Sequence, residues 1–105
     1  MNQTNKDRLI QFNRERKWGS FHTPSNLAKS LIIEAAELLE HFQWDDNYDI
    51  DGVAEELADI LIYAEILAEK VGLDTDEIVA AKLEKNARKY PVDKAKGNSK
   101  KYTEF

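Results

Sequence analysis

Cysteine is absent from this chain of 105 residues, and glycine and proline are scarce, with four and two copies. The lack of cysteine excludes disulfides, thiolate nucleophiles and thiolate zinc sites, so any metal must bind through oxygen or histidine nitrogen. Few turn-forming residues disfavour an all-β fold. With 33% charged and 42% hydrophobic residues, the composition is typical of a soluble helical domain, and the length indicates one domain.

Long hydrophobic runs are also missing. No apolar stretch approaches the roughly 20 residues that span a bilayer, and no apolar signal-peptide core follows residues 1–8. We therefore expect a cytoplasmic protein that does not contact a membrane.

Charge is distributed unevenly around the net value of −5. Residues 34–77 hold 15 acidic side chains and one lysine, whereas residues 6–29 hold six basic and two acidic ones. Residues 82–101 are basic again. This alternation favours a protein that holds cations together with an anionic ligand, and it does not indicate a nucleic acid polymer as partner. Three solvated helix faces would explain the same pattern.

Capping and breaking signals predict four helices and an all-α fold. Thr23-Pro24 is an N-cap followed by proline at the first helical position, and Asp74 with Glu77 resembles a capping box. The predicted helices run over residues 4–17, 24–42, 51–71 and 75–89. We expect residues 1–91 to form the domain and the basic residues 92–105 to form a flexible tail.

Two acid pairs lie beside the apolar stripes of the second and third helices. Glu34 with Glu37, and Glu56 with Asp59, are spaced i and i+3, so each pair lies on one side of its helix. Helical wheels place the following residues in the core arcs: Leu27, Leu31, Ala35, Leu38, Leu39 and Phe42 on the second helix, and Val53, Leu57, Ile60, Leu61, Ala64 and Leu67 on the third.

Three isoleucines fall outside these core arcs on the same two helices. Ile33, Ile62 and Ile66 occupy positions where a monomeric helical domain carries polar groups. Apolar residues on a second face are buried most simply by another copy of the chain, so we expect a dimer or tetramer. Scattered exposed apolar residues, which are common on any surface, are the alternative.

Four clustered carboxylates repel one another unless a cation lies between them. Oxygen ligands without cysteine or a histidine cluster suit Mg²⁺, with Mn²⁺ as a substitute, and such ions also bind phosphates. Acidic helices also generate such pairs by chance. A di-iron site is disfavoured because the Glu-x-x-His spacing is missing, since His41 follows Glu37 by four residues. No nucleophile motif or glycine-rich phosphate loop is present.

The order of motifs resembles a known family. Glu34-x-x-Glu37, 18 further residues and Glu56-x-x-Asp59 resemble the metal-binding signature of all-α MazG-like nucleoside triphosphate pyrophosphohydrolases. Other segments are similar to the dCTP pyrophosphatase branch: Phe12 to Trp18, Phe21-His22-Thr23-Pro24, Asn26-Leu27, Phe42-Gln43-Trp44, Tyr63, and Lys82-x-x-x-Asn86-x-x-x-Tyr90-Pro91.

This resemblance implies a four-helix MazG-like bundle, assembled as a homo-oligomer, that hydrolyses nucleoside triphosphates, of the pyrimidine or dCTP type, to monophosphate and pyrophosphate with Mg²⁺. Glu34, Glu37, Glu56 and Asp59 would hold the metal, and one of them would orient the attacking water. The implied substrate-binding residues are Trp18, Phe21, His22, Trp44, Tyr63, Lys82, Asn86, Arg88 and Tyr90. A pyrophosphohydrolase of broad or purine specificity, and a non-catalytic oligomerisation module, are the alternatives.

Overall fold

A computed structural model describes residues 1–104 of the chain, and its regular elements within that range are all helical. The four long helices are α1 (Gln3–Glu15), α2 (Pro24–Glu40), α3 (Ile50–Lys70) and α4 (Thr75–Lys89). A single turn, α5 (Val92–Ala95), and a 3₁₀ turn (Tyr102–Glu104) follow. The all-α prediction is confirmed, and the short turns after Pro91 were not among the four predicted helices.

Side-chain caps explain why the long helices begin where they do. The Thr23 hydroxyl accepts a hydrogen bond from the Asn26 N–H at 3.1 Å, and the Asp74 carboxylate accepts one from the Glu77 N–H at 3.0 Å. These bonds satisfy N–H groups that a helix leaves unpaired at its first turn. Gly72, with a φ of +76°, adopts the left-handed conformation that follows the end of α3. Predicted and observed helix ends agree to within two residues.

The chain forms two compact units, of which the first is Met1–Gly72 and the second begins at Leu73. The first unit contains α1, α2 and α3, and α2 packs along α3. The second contains α4, α5 and the 3₁₀ turn. No helix within residues 1–104 has both the length and the apolar content needed to cross a membrane.

The core of the first unit corrects one prediction. Ile66, predicted to mark a surface between copies of the chain, is buried within it at 4% exposure, and Ile62 is half-buried. The reason is that α1 as well as α2 reaches α3. The Lys6 ammonium of α1 lies 3.4 Å from the Glu65 carboxylate of α3, and Ile10 lines the same cavity as Ile66.

The predicted core arcs were also partly wrong. Leu39, Leu57 and Leu61, which the wheels placed in the core, are 67%, 46% and 56% exposed. We call these three side chains the exposed leucines. Ile33 is 57% exposed, as expected from its position outside the core arc. The uncovered apolar surface of α2 and α3 therefore differs from the surface predicted.

Candidate metal and substrate site

Three carboxylates from two helices converge in the first unit. Glu34 on α2, with Glu56 and Asp59 on α3, each contributes one oxygen, and these oxygens lie within 4.8 Å of one another. The i, i+3 spacing on α3 and the packing of α2 along α3 bring the groups together. Glu34 and Glu56 are half-buried and Asp59 is exposed, so the cluster opens to solvent at Asp59.

Glu37 is the fourth member of what we call the acid cluster: Glu34, Glu37, Glu56 and Asp59. It is half-buried and within hydrogen-bonding reach of the carboxyls of both Glu34 and Glu56. It is not one of the three residues whose oxygens converge within 4.8 Å. Glu37 therefore borders the point of convergence.

Burial and crowding change the protonation of this cluster. Burial raises the pKa of Glu34 from 4.5 to about 7, and hydrogen bonds with Glu56 and Glu37 and repulsion from Glu37 and Asp59 add to that rise. Burial also raises the pKa of Glu56, with a further contribution from Glu37. A hydrogen bond between two carboxyls requires one of them to hold a proton, so without a cation the cluster tends to retain protons near neutral pH.

Two buried oxygens show what the acid cluster is suited to bind. The Oε2 atoms of Glu34 and Glu56 are buried and find no hydrogen-bond donor within residues 1–104. An unpaired buried carboxylate oxygen is unfavourable unless a proton or a cation satisfies it. The ligand set contains only oxygen, which fits Mg²⁺ or Mn²⁺ better than the softer transition metals.

His41 contacts the acid cluster, which the sequence did not predict. Its Nε2 lies 4.0 Å from Oε1 of Glu56, and the side chain is 28% exposed. The ring lies over Gly52, where a Cβ, if one were added, would come within 2.6 Å of its Cε1 atom. The absence of a side chain at residue 52 therefore makes room for His41. The available signal was the position of His41 one turn after Glu37.

The loop between α1 and α2 brings two of the predicted base-binding residues together. The Trp18 ring lies edge-on to His22 at 6.2 Å and to Phe12 at 5.7 Å. Backbone hydrogen bonds from the Phe21 N–H to the Trp18 carbonyl (2.9 Å) and from the His22 N–H to the Gly19 carbonyl (3.3 Å) shape this turn. Trp18 remains 41% exposed and Phe21 66% exposed, so both rings are accessible from solvent.

The other predicted aromatic residues of the first unit lie on or after the helices that carry the acids. Tyr63 is half-buried one helical turn after Asp59 on α3. Trp44 follows α2 and is 86% exposed. Its large exposed ring is the most accessible aromatic surface of the first unit.

A cavity of about 330 Å³ beside His22 contains basic residues that the sequence analysis did not select. Arg14, Lys17 and Lys70 line it together with Glu69. Lys70 is the single lysine of the acidic stretch 34–77, which was the signal available in the sequence.

The remaining predicted substrate residues belong to the second unit. Lys82 is exposed and Asn86 half-buried on α4, and the Tyr90 N–H donates to the Asn86 carbonyl at 2.8 Å. The Tyr90 ring meets the Tyr102 ring edge-on at 6.2 Å. Arg88 lines an open cleft.

Comparison with known proteins gives concordant results. A family model described as the MazG-like family matches residues 29–105. The dCTP pyrophosphatase 1 of Bos taurus and that of Homo sapiens are each 38% identical over 90% of this chain. The chain spans about 62% of the length of these curated relatives. The crystal structure of a pyrophosphatase from Archaeoglobus fulgidus is similar with a TM-score of 0.76 and 41% identity, over 87% of this chain and 94% of that one.

Proposed function

Because the chain belongs to the MazG-like family, we propose that it is a Mg²⁺-dependent nucleoside triphosphate pyrophosphohydrolase, with Mn²⁺ as a possible substitute. The reaction is hydrolysis between the α- and β-phosphates, which yields the monophosphate and pyrophosphate. The observation that carries the proposal is the convergence of Glu34, Glu56 and Asp59 around buried oxygens that lack donors. The similarity to dCTP pyrophosphatases over 90% of the chain supports a pyrimidine triphosphate, dCTP above all, as substrate.

The four members of the acid cluster hold the metal in this proposal. When bound, a divalent ion neutralises phosphoryl oxygens and lowers the pKa of a coordinated water. Glu37, which borders the three converging oxygens, is placed to orient the attacking water and accept its proton. The solvent-facing side at Asp59 leaves room for a phosphate to approach.

Aromatic residues of the loop after α1, together with Trp44 after α2, bind the base. Trp18, Phe21 and Trp44 offer exposed ring faces for stacking, and His22 offers a ring nitrogen to a base edge. Tyr63 lies on the same helix as Glu56 and Asp59 and serves the same substrate. Lys82, Asn86, Arg88 and Tyr90 of the second unit carry donors of the kind that bind phosphate and sugar oxygens.

Self-association accompanies the activity, through the exposed leucines. Leu39, Leu57 and Leu61 lie on the helices that carry the acid cluster, and a second copy of the chain would bury them. A dimer or tetramer by light scattering that dissociates in Leu61→Glu, but not in the control Leu73→Glu, supports this. A monomeric wild-type chain at micromolar concentration contradicts it. A cytoplasmic location completes the proposal, since the nucleotide substrates are found there.

Product analysis tests the reaction. The full chain is incubated with Mg²⁺ and each nucleoside triphosphate in turn, and the products are followed by ³¹P NMR. We expect equal amounts of monophosphate and pyrophosphate, with fastest turnover for dCTP. Equal turnover of purine triphosphates would replace the pyrimidine assignment with broad specificity. Release of orthophosphate alone, or no turnover of any triphosphate, would overturn the proposed reaction.

A further inference from the structure

The second unit contains an open cleft of about 620 Å³ with strongly basic walls. Its lining includes four cationic side chains and no acidic one. The cations come from two helices, α4 and α5, and are Lys85, Arg88, Lys89 and Lys94. We call this the basic cleft. Pro91 and Tyr102 complete its lining.

The four cations of the basic cleft form no ion pair with a carboxylate of residues 1–104. Glu84 and Asp93, the acids nearest to them in the sequence, do not line the cleft, and the carboxylate of Glu104 accepts the Lys101 N–H at 3.1 Å. Several like charges around one open cleft create a positive potential that attracts anions. The basic cleft is therefore suited to an anionic ligand.

The charge of the basic cleft indicates what kind of anion fits. A single phosphate group carries a charge of about −2 at neutral pH, which matches only half of the four cations. Linked phosphate groups match the charge better, and Arg88 can hold two phosphate oxygens at once through its guanidinium. The volume of the cleft has room for more than one such group.

The aromatic wall of the basic cleft favours an anion over a nucleobase. The Lys89 ammonium lies 4.7 Å from the centre of the Tyr102 ring, and Tyr90 meets the same ring edge-on. The Lys89 ammonium thus covers part of the Tyr102 ring surface on which a base could stack. The contact also holds Lys89 at the cleft wall.

From these observations we propose that the second unit carries a binding site for condensed phosphate, a di- or triphosphate group, in the basic cleft formed by Lys85, Arg88, Lys89 and Lys94. The site binds this anion without help from a divalent metal. Arg88 is the one residue that this site shares with the proposed substrate contacts, and the inference is tested apart from the proposed hydrolysis because binding is measured without a metal and without turnover.

The test measures inorganic pyrophosphate binding to the full chain by isothermal titration calorimetry in the presence of EDTA. Under these conditions the acid cluster repels the anion, so binding reports on the basic cleft. We expect one saturable site per chain and a loss of about tenfold in affinity in the Lys85→Gln Lys89→Gln double variant. The matched control is Lys96→Gln Lys100→Gln, which changes the net charge equally outside the cleft lining and should alter affinity less than twofold.

Additional ligands separate the possible sources of the phosphate group. A nucleoside diphosphate should displace inorganic pyrophosphate, whereas the nucleoside alone should not displace it. No saturable binding of pyrophosphate, or equal weakening in the control variant, would overturn the proposal. Tight binding of a single-stranded oligonucleotide with no binding of pyrophosphate would also overturn it and would identify a nucleic acid surface instead.

Discussion

The acid cluster of the first unit and the basic cleft of the second each gather charges of one sign, but they relieve the repulsion differently. The carboxyls of Glu34 and Glu56 are half-buried and have raised pKa values, so protons can neutralise them. The lysines and Arg88 of the cleft line an open surface, where solvent and salt screen charges that remain in place. Protons and metal ions therefore compete for the half-buried acid cluster. The affinity of the exposed basic cleft for anions depends instead on ionic strength.

The largest expected effect concerns Asp59→Asn, which removes one negative charge and keeps the size of the side chain. If Asp59 holds Mg²⁺, turnover should fall by about 100-fold or more, because metal stabilisation of a phosphoryl transition state is worth several kcal/mol. Steady-state turnover with Mg²⁺ measures this effect.

The same substitution should not destabilise the metal-free fold. Removing one of several close negative charges leaves the unfolding temperature unchanged or slightly raised. An Asp59→Asn variant that is less stable than wild type and fully active would show that Asp59 is a structural residue and not a metal ligand.

The second prediction concerns the pH dependence of metal-free stability. Folding raises the pKa of Glu34 from 4.5 to about 7, so the native state binds this proton more tightly than the unfolded state. Its contribution to stability is fully present below pH 4.5 and is lost as pH rises through about 7. Glu34→Gln removes the titrating carboxyl, so this variant should not lose that stability as pH rises.

Thermal unfolding in EDTA checks this prediction. The unfolding temperature of Glu34→Gln should exceed that of wild type by more at about pH 8 than at about pH 5. Glu84→Gln on α4, outside the acid cluster, serves as the control and should give no such divergence. A constant difference between Glu34→Gln and wild type across this range would contradict a raised pKa for Glu34.

A smaller effect is expected from Gly52→Ala, which tests the contact of His41 with Glu56. The new Cβ would lie 2.6 Å from the His41 ring, so the ring must move away. We expect Mn²⁺ affinity to fall by about tenfold, because a residue that contacts a metal ligand helps to orient it. The His41→Ala Gly52→Ala double variant has no clash. The higher helix propensity of alanine should then raise its free energy of unfolding by about 1 kcal/mol. If Gly52→Ala binds Mn²⁺ with wild-type affinity and has a raised unfolding temperature, the position of the His41 ring does not affect metal binding.

Salt should produce the smallest change and should distinguish the two regions. Raising the ionic strength from about 0.05 M to about 0.5 M shortens the screening length several-fold. Pyrophosphate binding at the exposed basic cleft should weaken severalfold, while Mn²⁺ binding at the half-buried acid cluster should weaken less. Calorimetric titrations at both ionic strengths measure the two effects. Equal salt dependence would mean that the two regions do not differ in solvation.

The helices and the acid spacing were predictable because local signals determine them. Thr23 and Asp74 define the starts of their helices through their own side chains, and these signals were read from the sequence. The pairing of acids at i and i+3 likewise depends only on helical geometry. The convergence of Glu34 with Glu56 follows once α2 packs along α3.

Features that depend on which helices touch were predicted less well. Ile66 was assigned to an outer surface because the wheel assumed one buried face on α3, whereas Lys6 of α1 also contacts α3 at Glu65, next to Ile66. His41 could not be placed beside Glu56 without knowing that it lies over Gly52. The turn α5, only four residues long, has too few residues for a periodic pattern.

Binding of Mn²⁺ to the full chain, followed by the loss of the free-ion signal in electron paramagnetic resonance, tests the role of the acid cluster most directly. We predict saturable binding by the wild-type chain, competition by Mg²⁺, and loss of this binding in Asp59→Asn with the fold retained. Binding of Mn²⁺ by Asp59→Asn with wild-type affinity, or no saturable binding by the wild-type chain, would contradict the assignment of the acid cluster as the metal site.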